Sequence, residues 1–164
     1  MSEPTKILVY TDGSALGNPG KGGFGIIMKL SDKSYEKEFS QAYRLTTNNR
    51  MELKAIIEAL KKIKNKDLPI EIYTDSKYVA DAINQKWLEK WHQKRFAKTK
   101  NTDLWQEFLK VSKGLDYKIF WIKGHNQHPE NERCDKLAVK AAQSGNYLID
   151  EGYENSSESP DELF

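Results

Sequence analysis

The chain has 164 residues, 30% of them charged and 38% hydrophobic, with a net charge of +2. That length suits one domain with a real core, and no apolar run is long enough to cross a bilayer. Cys134 is the only cysteine, so no internal disulfide forms, and "MSEPTK" lacks the basic-then-apolar shape of a signal peptide; a cytoplasmic location is expected.

In chain order, residues 6–10 read as a buried strand that ends near Asp12, followed by a glycine-rich loop. Residues 23–30 and 33–41 read as two more strands joined by the turn-like Ser31-Asp32, which predicts an antiparallel meander. Over 48–63, Met51, Leu53, Ile56, Ile57, Leu60 and Ile63 recur at helical spacing. Asn48 or Asn49 is the expected cap, with Glu52 in the first turn. "IEIYTD" (70–75) is a fourth strand. A helix is expected from Ser76 through Trp91, then a basic, poorly periodic patch to Asn101. The next helix starts at Thr102 or Asp103 and is closed by Gly114. Residues 117–125 form a fifth strand and 130–143 a last helix. The order predicts an α/β fold, a mixed sheet with helices on its faces.

Charge is unevenly spread. Lys86, Lys90, Lys94, Arg95, Lys98 and Lys100 face a single Glu89, whereas every charge from Asp150 onward is negative. A basic segment suggests a polyanion partner, and an acidic end suggests a solvated, disordered tail. Folding of that tail onto the basic segment is the competing expectation.

Gly20, Gly22 and Gly25 spell G-x-G-x-x-G, the spacing of a dinucleotide-binding loop. Such a loop opens a helix directly after its strand. Here Pro19 interrupts the glycines and the strand-like "FGIIMKL" follows, so the loop is expected to connect two strands. The repeated "YTD" of "VYTDGS" and "IYTDSK" is more informative. Asp12 and Asp75 both follow an apolar strand, and sites in open α/β sheets gather at the carboxyl ends of strands. Alone, each is an ordinary turn residue or cap, and Glu52 and Asp135 near helix starts are ordinary dipole partners. Four carboxylates brought together would repel unless a cation joined them. An all-oxygen set selects magnesium or manganese and suits phosphoryl transfer.

"YTDGS", "NNRMEL", "YTDS", "KGH" and "HPENERCDKLA", in this order, resemble ribonuclease H of type 1 over residues 6–153. The resemblance implies a ribonuclease H-like fold: a five-stranded mixed sheet, three antiparallel strands then two parallel, with helices on both faces. Residues 1–153 would be the catalytic domain, with a basic protrusion at about 86–101, and 154–164 the acidic tail. It implies Mg2+-dependent hydrolysis of the RNA strand of RNA–DNA hybrids, with Mn2+ as a substitute, leaving 5′-phosphate and 3′-hydroxyl ends. Asp12 would bridge two ions, Glu52 and Asp75 would complete one site, and Asp135 the other. His125 would assist turnover and product departure. Gly13, Asn18, Thr47, Asn48 and Asn49 would approach the hybrid, Asn18 and Thr47 by helping to hold a DNA phosphate. Lys77 stands where many relatives carry Gln, and Ala15 where Cys is frequent. Trp87, Lys94, Arg95, Lys98 and Lys100 of the protrusion would meet the nucleic-acid backbone. A monomer without membrane attachment is expected. Two rival readings are a nuclease of the same fold with another substrate and a silent binding module. The asparagines count against the first and the complete carboxylate set against the second.

Overall fold

The computed structural model describes residues 4–96, 100–123 and 128–156. Three long strands open the chain: β1 (Ile7–Leu16), β2 (Gly20–Leu30) and β3 (Glu36–Thr46). They form the expected antiparallel meander. Next come α1 (Asn48–Lys61), β4 (Ile70–Thr74), α2 (Lys77–Asn84), α3 (Trp87–Gln93) and α4 (Thr102–Ser112). β5 (Tyr117–Trp121), α5 (Pro129–Ser144), β6 (Tyr147–Leu148) and α6 (Glu151–Glu154) complete it. The sheet order is β5-β4-β1-β2-β3-β6, with β4 parallel to β1 and β5 parallel to β4.

Alternation along the strands separates two cores. Ile7 and Val9 of β1 join Ile26 and Ile72 beneath α1, with Met51, Ile56, Ile57 and Leu60 as the helix's buried stripe. Tyr10, on the opposite face, joins Ile27 and Cys134 beneath α5, with Leu8 packed against them. Helices therefore cover both faces, as expected. Trp105 and Phe108 of α4 are fully buried and extend the first core away from the sheet.

Four expectations are corrected. The sheet has six strands, because Tyr147–Leu148 pairs in parallel with Ala42–Tyr43; a two-residue strand leaves no periodicity to read. The glycine-rich stretch is mostly strand: β1 runs through Asp12 to Leu16, and β2 begins at Gly20. Low strand propensity is overridden there by the backbone ladder and by helices that need the missing side chains. The helix expected over 76–91 is two helices, broken at Lys86, whose φ is 63°. No glycine or proline marks that break. Finally, Asp150 and Glu154 belong to the folded body. Asp150 is 2% exposed and caps α6 by accepting from the Tyr153 N–H.

Candidate active site

β1 and β4 lie side by side in parallel register from Ile7↔Ile70 to Tyr10↔Tyr73. Continued by two residues, that register sets Asp12 beside Asp75. Glu52 enters from the first turn and a half of α1. One oxygen from each of Asp12, Glu52 and Asp75 lies within 4.8 Å of the other two. Asp135, on the second turn of α5, is not in this group of three, yet its charge acts on Asp12.

Two glycines allow this convergence. A Cβ on Gly13 would collide with the backbone of Met51 and Glu52, so only glycine lets β1 touch the start of α1. Gly25 is the cross-strand partner of Asp12. A Cβ there would collide with the Cys134 carbonyl and lie 2.7 Å from Leu137 Cβ, so only glycine lets α5 settle on β2 beside the aspartate.

The Gly13 N–H donates to Asp12 Oδ1 at 2.9 Å and makes a short bond to Glu52 Oε1. Glu52 Oε2 is buried and has no hydrogen-bond partner among the described residues. An orphaned buried carboxylate oxygen is costly. Burial first, then the Asp75 and Asp135 charges, push the Asp12 carboxyl up to about 7, although its contact with Glu52 acts the other way. Burial, Asp12 and Asp75 raise Glu52 well above the carboxylate range. An oxygen-only cluster with an orphaned oxygen and suppressed ionisation fits a hard divalent cation.

The surrounding residues are tied together. Thr47, rather than Asn48 or Asn49, caps α1, its hydroxyl accepting from the Arg50 N–H at 3.3 Å. Asn48 Oδ1 accepts from the Ala15 N–H at 2.6 Å, and Asn18 Oδ1 from the Asn48 N–H at 3.0 Å. The β1–β2 turn is thereby fastened to the helix start, with Asn18, Asn48 and Asn49 exposed. Lys77 is exposed, pairs with Asp81 at 2.5 Å and lies over the Trp121 ring at 5.6 Å. Trp87 is 37% exposed and Lys94, Arg95 and Lys100 are exposed, whereas Phe96 and Trp105 are buried. Lys98 and His125 lie outside the described residues.

Sequence reasoning missed two supports. Trp121 donates its indole N–H to the Asp75 carbonyl at 3.2 Å while leaving 44% of its surface exposed. A large aromatic at the end of a half-exposed strand was the available signal. Arg50, two residues before Glu52, is buried in a fork of carboxylates. It donates to Asp150 at 2.8 Å through Nε and Nη2, and to Asp103 at 2.8 and 2.7 Å.

A family model for RNase H matches residues 4–143. The chain belongs to the ribonuclease H family. It is 54% identical over 138 residues to "Ribonuclease HI" of Helicobacter pylori (strain ATCC 700392 / 26695), covering 84% of this chain and 94% of that one. It is 46% identical over 157 residues to "Ribonuclease H" of Rippkaea orientalis (strain PCC 8801 / RF-1), covering 93% and 94%. Among solved structures, it superposes on LC9-RNase H1, described as a type 1 RNase H with the type 2 active-site motif. That match has a TM-score of 0.75 and 30% identity, over 99% of this chain and 86% of that one. LC11-RNase H1 in complex with RNA/DNA hybrid matches with a TM-score of 0.62 and 26% identity, over 84% and 97%. No helix among the described residues of this ribonuclease H family member is long and apolar enough to cross a membrane.

Proposed function

We propose that this chain is a Mg2+-dependent endoribonuclease that hydrolyses the RNA strand of RNA–DNA hybrids, leaving 5′-phosphate and 3′-hydroxyl ends. One observation carries the reading: Asp12, Glu52 and Asp75 converge around a buried carboxylate oxygen that has no partner among the described residues. Asp12, Glu52 and Asp75 would hold one ion, and Asp12 with Asp135 a second. Bound divalent ions supply Lewis acidity at the scissile phosphate and neutralise the charge that develops on it. Mn2+ satisfies the same oxygen donors.

The protein's own residues orient this set and grip the substrate. The Gly13 N–H fixes the Glu52 carboxylate, and Trp121 fixes the backbone of Asp75. The fastened turn of Asn18, Asn48 and Ala15 presents short polar groups beside the site. Such groups, with Gly13, Thr47 and Asn49, suit sugar and phosphate contacts and a test for the 2′-hydroxyl. Lys77 offers a charge, and Trp87 with Lys94, Arg95, Lys98 and Lys100 a further surface for the duplex. His125 is assigned to product departure. The hybrid held by LC11-RNase H1 supports the substrate assignment. The activity is assigned to a monomer in the cytoplasm.

The test compares cleavage of hybrid, double-stranded RNA, double-stranded DNA and single-stranded RNA, with Mg2+ and with EDTA. Cleavage of the RNA strand in the hybrid alone, abolished by EDTA, is expected. Cutting that spares the hybrid or survives EDTA overturns the assignment.

A further inference from the structure

On the α1 face of the sheet, toward the helix end away from Glu52, lies an apolar groove of about 570 Å³. Ile7, Met28, Leu30, Phe39, Ile63 and Leu68 form its apolar lining. Lys37, Lys62 and Lys64 also line it, and no carboxylate does. Lys29 and Lys61 reach it too, but their ammonium groups are already paired, Lys29 with Glu130 of α5 and Lys61 with Glu58 and Glu107. Lys62 lies 4.3 Å from the centre of the Phe39 ring, so aromatic surface and cation are already paired there. A second groove shares Phe39 and Lys62 and continues to Tyr43 and Leu148; its two carboxylates, Glu38 and Glu58, are paired with Arg133 and Lys61. Together they make a track between β3 and α1.

The described chain ends beside that track. Leu148 lines it, and Glu154 accepts from Arg44 of β3 at 2.8 Å. Beyond Ser156 the sequence continues for eight residues, "SESPDELF". This segment holds three carboxylates, no cation, and the apolar pair Leu163-Phe164. Eight extended residues reach about 27 Å. The seven residues from Arg44 back to Lys37 span about 23 Å along a strand.

We propose that residues 157–164 dock in cis on this track. Leu163 and Phe164 sit on the apolar lining, and Glu158, Asp161 and Glu162 face Lys37, Lys62 and Lys64. Burying an aromatic ring and a leucine on an apolar surface drives the contact, and opposite charge fixes its direction. The tether holds the segment at an effective concentration in about the millimolar range, so modest contacts suffice. The basic segment around Lys94, Arg95 and Lys100 matches the charge but, among its described residues, offers the apolar pair a single exposed indole ring, Trp87, since its Phe96 is already buried. The docking leaves the carboxylate cluster open, because Lys61 lies nine residues from Glu52, about 14 Å along α1. It does not depend on the nuclease reading.

A nitroxide attached to Ser159→Cys in the full chain tests this. Cys134 is fully buried, which spares its thiol. Loss of amide signal is expected at Phe39, Lys62, Ile63 and Leu68. Leu163→Ser with Phe164→Ser, or Lys62→Glu with Lys64→Glu, should restore those signals. The proposal is overturned if the groove signals persist in the labelled chain, if the loss instead centres on residues 87–96, or if neither pair of substitutions restores them. It is equally overturned if the loss arises only between mixed copies, which would make the occupant a second chain.

Discussion

Asp150→Ala should destabilise the fold far more than Asp103→Ala, although both carboxylates pair with Arg50. The Arg50 and Asp150 side chains are 3% and 2% exposed, while that of Asp103 is 45% exposed. Removing Asp150 leaves the Arg50 Nε without an acceptor, strips the Thr46 hydroxyl of a 2.7 Å partner and uncaps α6. Breaking a buried pair costs about 3–5 kcal/mol. Asp103 still holds the other edge of the guanidinium, so the lower end, about 3 kcal/mol, is expected. Asp103→Ala breaks a solvent-screened contact, worth at most about 1 kcal/mol. Urea unfolding reads the difference. With a slope of about 2 kcal/mol/M, the Asp150→Ala midpoint should fall by about 1.5 M, and that of Asp103→Ala by under about 0.5 M. Acid unfolding supplies a second readout. Burial raises the Asp150 pKa, but Arg50 more than offsets this and holds it below the ordinary value. A depressed pKa contributes stability that is complete above the unfolded value of about 3.9 and is lost as pH falls through the folded one. The gap between the wild-type chain and Asp150→Ala should therefore close below about pH 4. Equal losses for the two variants, or a gap that persists in acid, would refute this account.

Asp12→Asn should abolish hybrid cleavage while binding stays measurable by fluorescence anisotropy. In metal-free protein it should also raise stability at neutral pH. The Asp12 pKa is raised to about 7, so its contribution is full below the unfolded value near 4 and is lost as pH rises toward 7; the amide removes that loss. A melting temperature at pH 7.5 in EDTA that is unchanged or lower would count against the carboxylate repulsion. Gly25→Ala should cost about 1–3 kcal/mol through overpacking against α5 and reduce cleavage by displacing Asp135; wild-type unfolding and turnover would show that α5 yields freely. Replacing Lys94, Arg95, Lys98 and Lys100 with Ala should weaken hybrid binding and flatten the dependence of log affinity on log salt. An unchanged slope would place the hybrid elsewhere.

The amphipathic stripe of α1 and the apolar strands were legible in the sequence because burial on one face imposes a period. The Asp12–Asp75 pair was legible because parallel strands with identical ends predict adjacent carboxylates. The extent of β1 and β2 was not. A glycine run reads as loop when nothing local shows that two helices need its bare backbone. The break at Lys86 was hidden because a left-handed lysine leaves no compositional mark. Asp150 looked like the first charge of a solvated tail, and Arg50 was one letter of "NNRMEL". Their pairing spans 100 residues, beyond any window that periodicity samples.

Gly13 and Gly25 have a mechanical consequence. At these two positions, the placing of Glu52 and Asp135 against Asp12 is gauged by main chain resting on main chain. A side chain can adopt another rotamer to absorb a neighbour's change, but a peptide plane has no such slack. The carboxylate spacing is thus insulated from the wear that core substitutions inflict elsewhere. Remote hydrophobic replacements should erode the melting temperature well before they alter the geometry at Asp12.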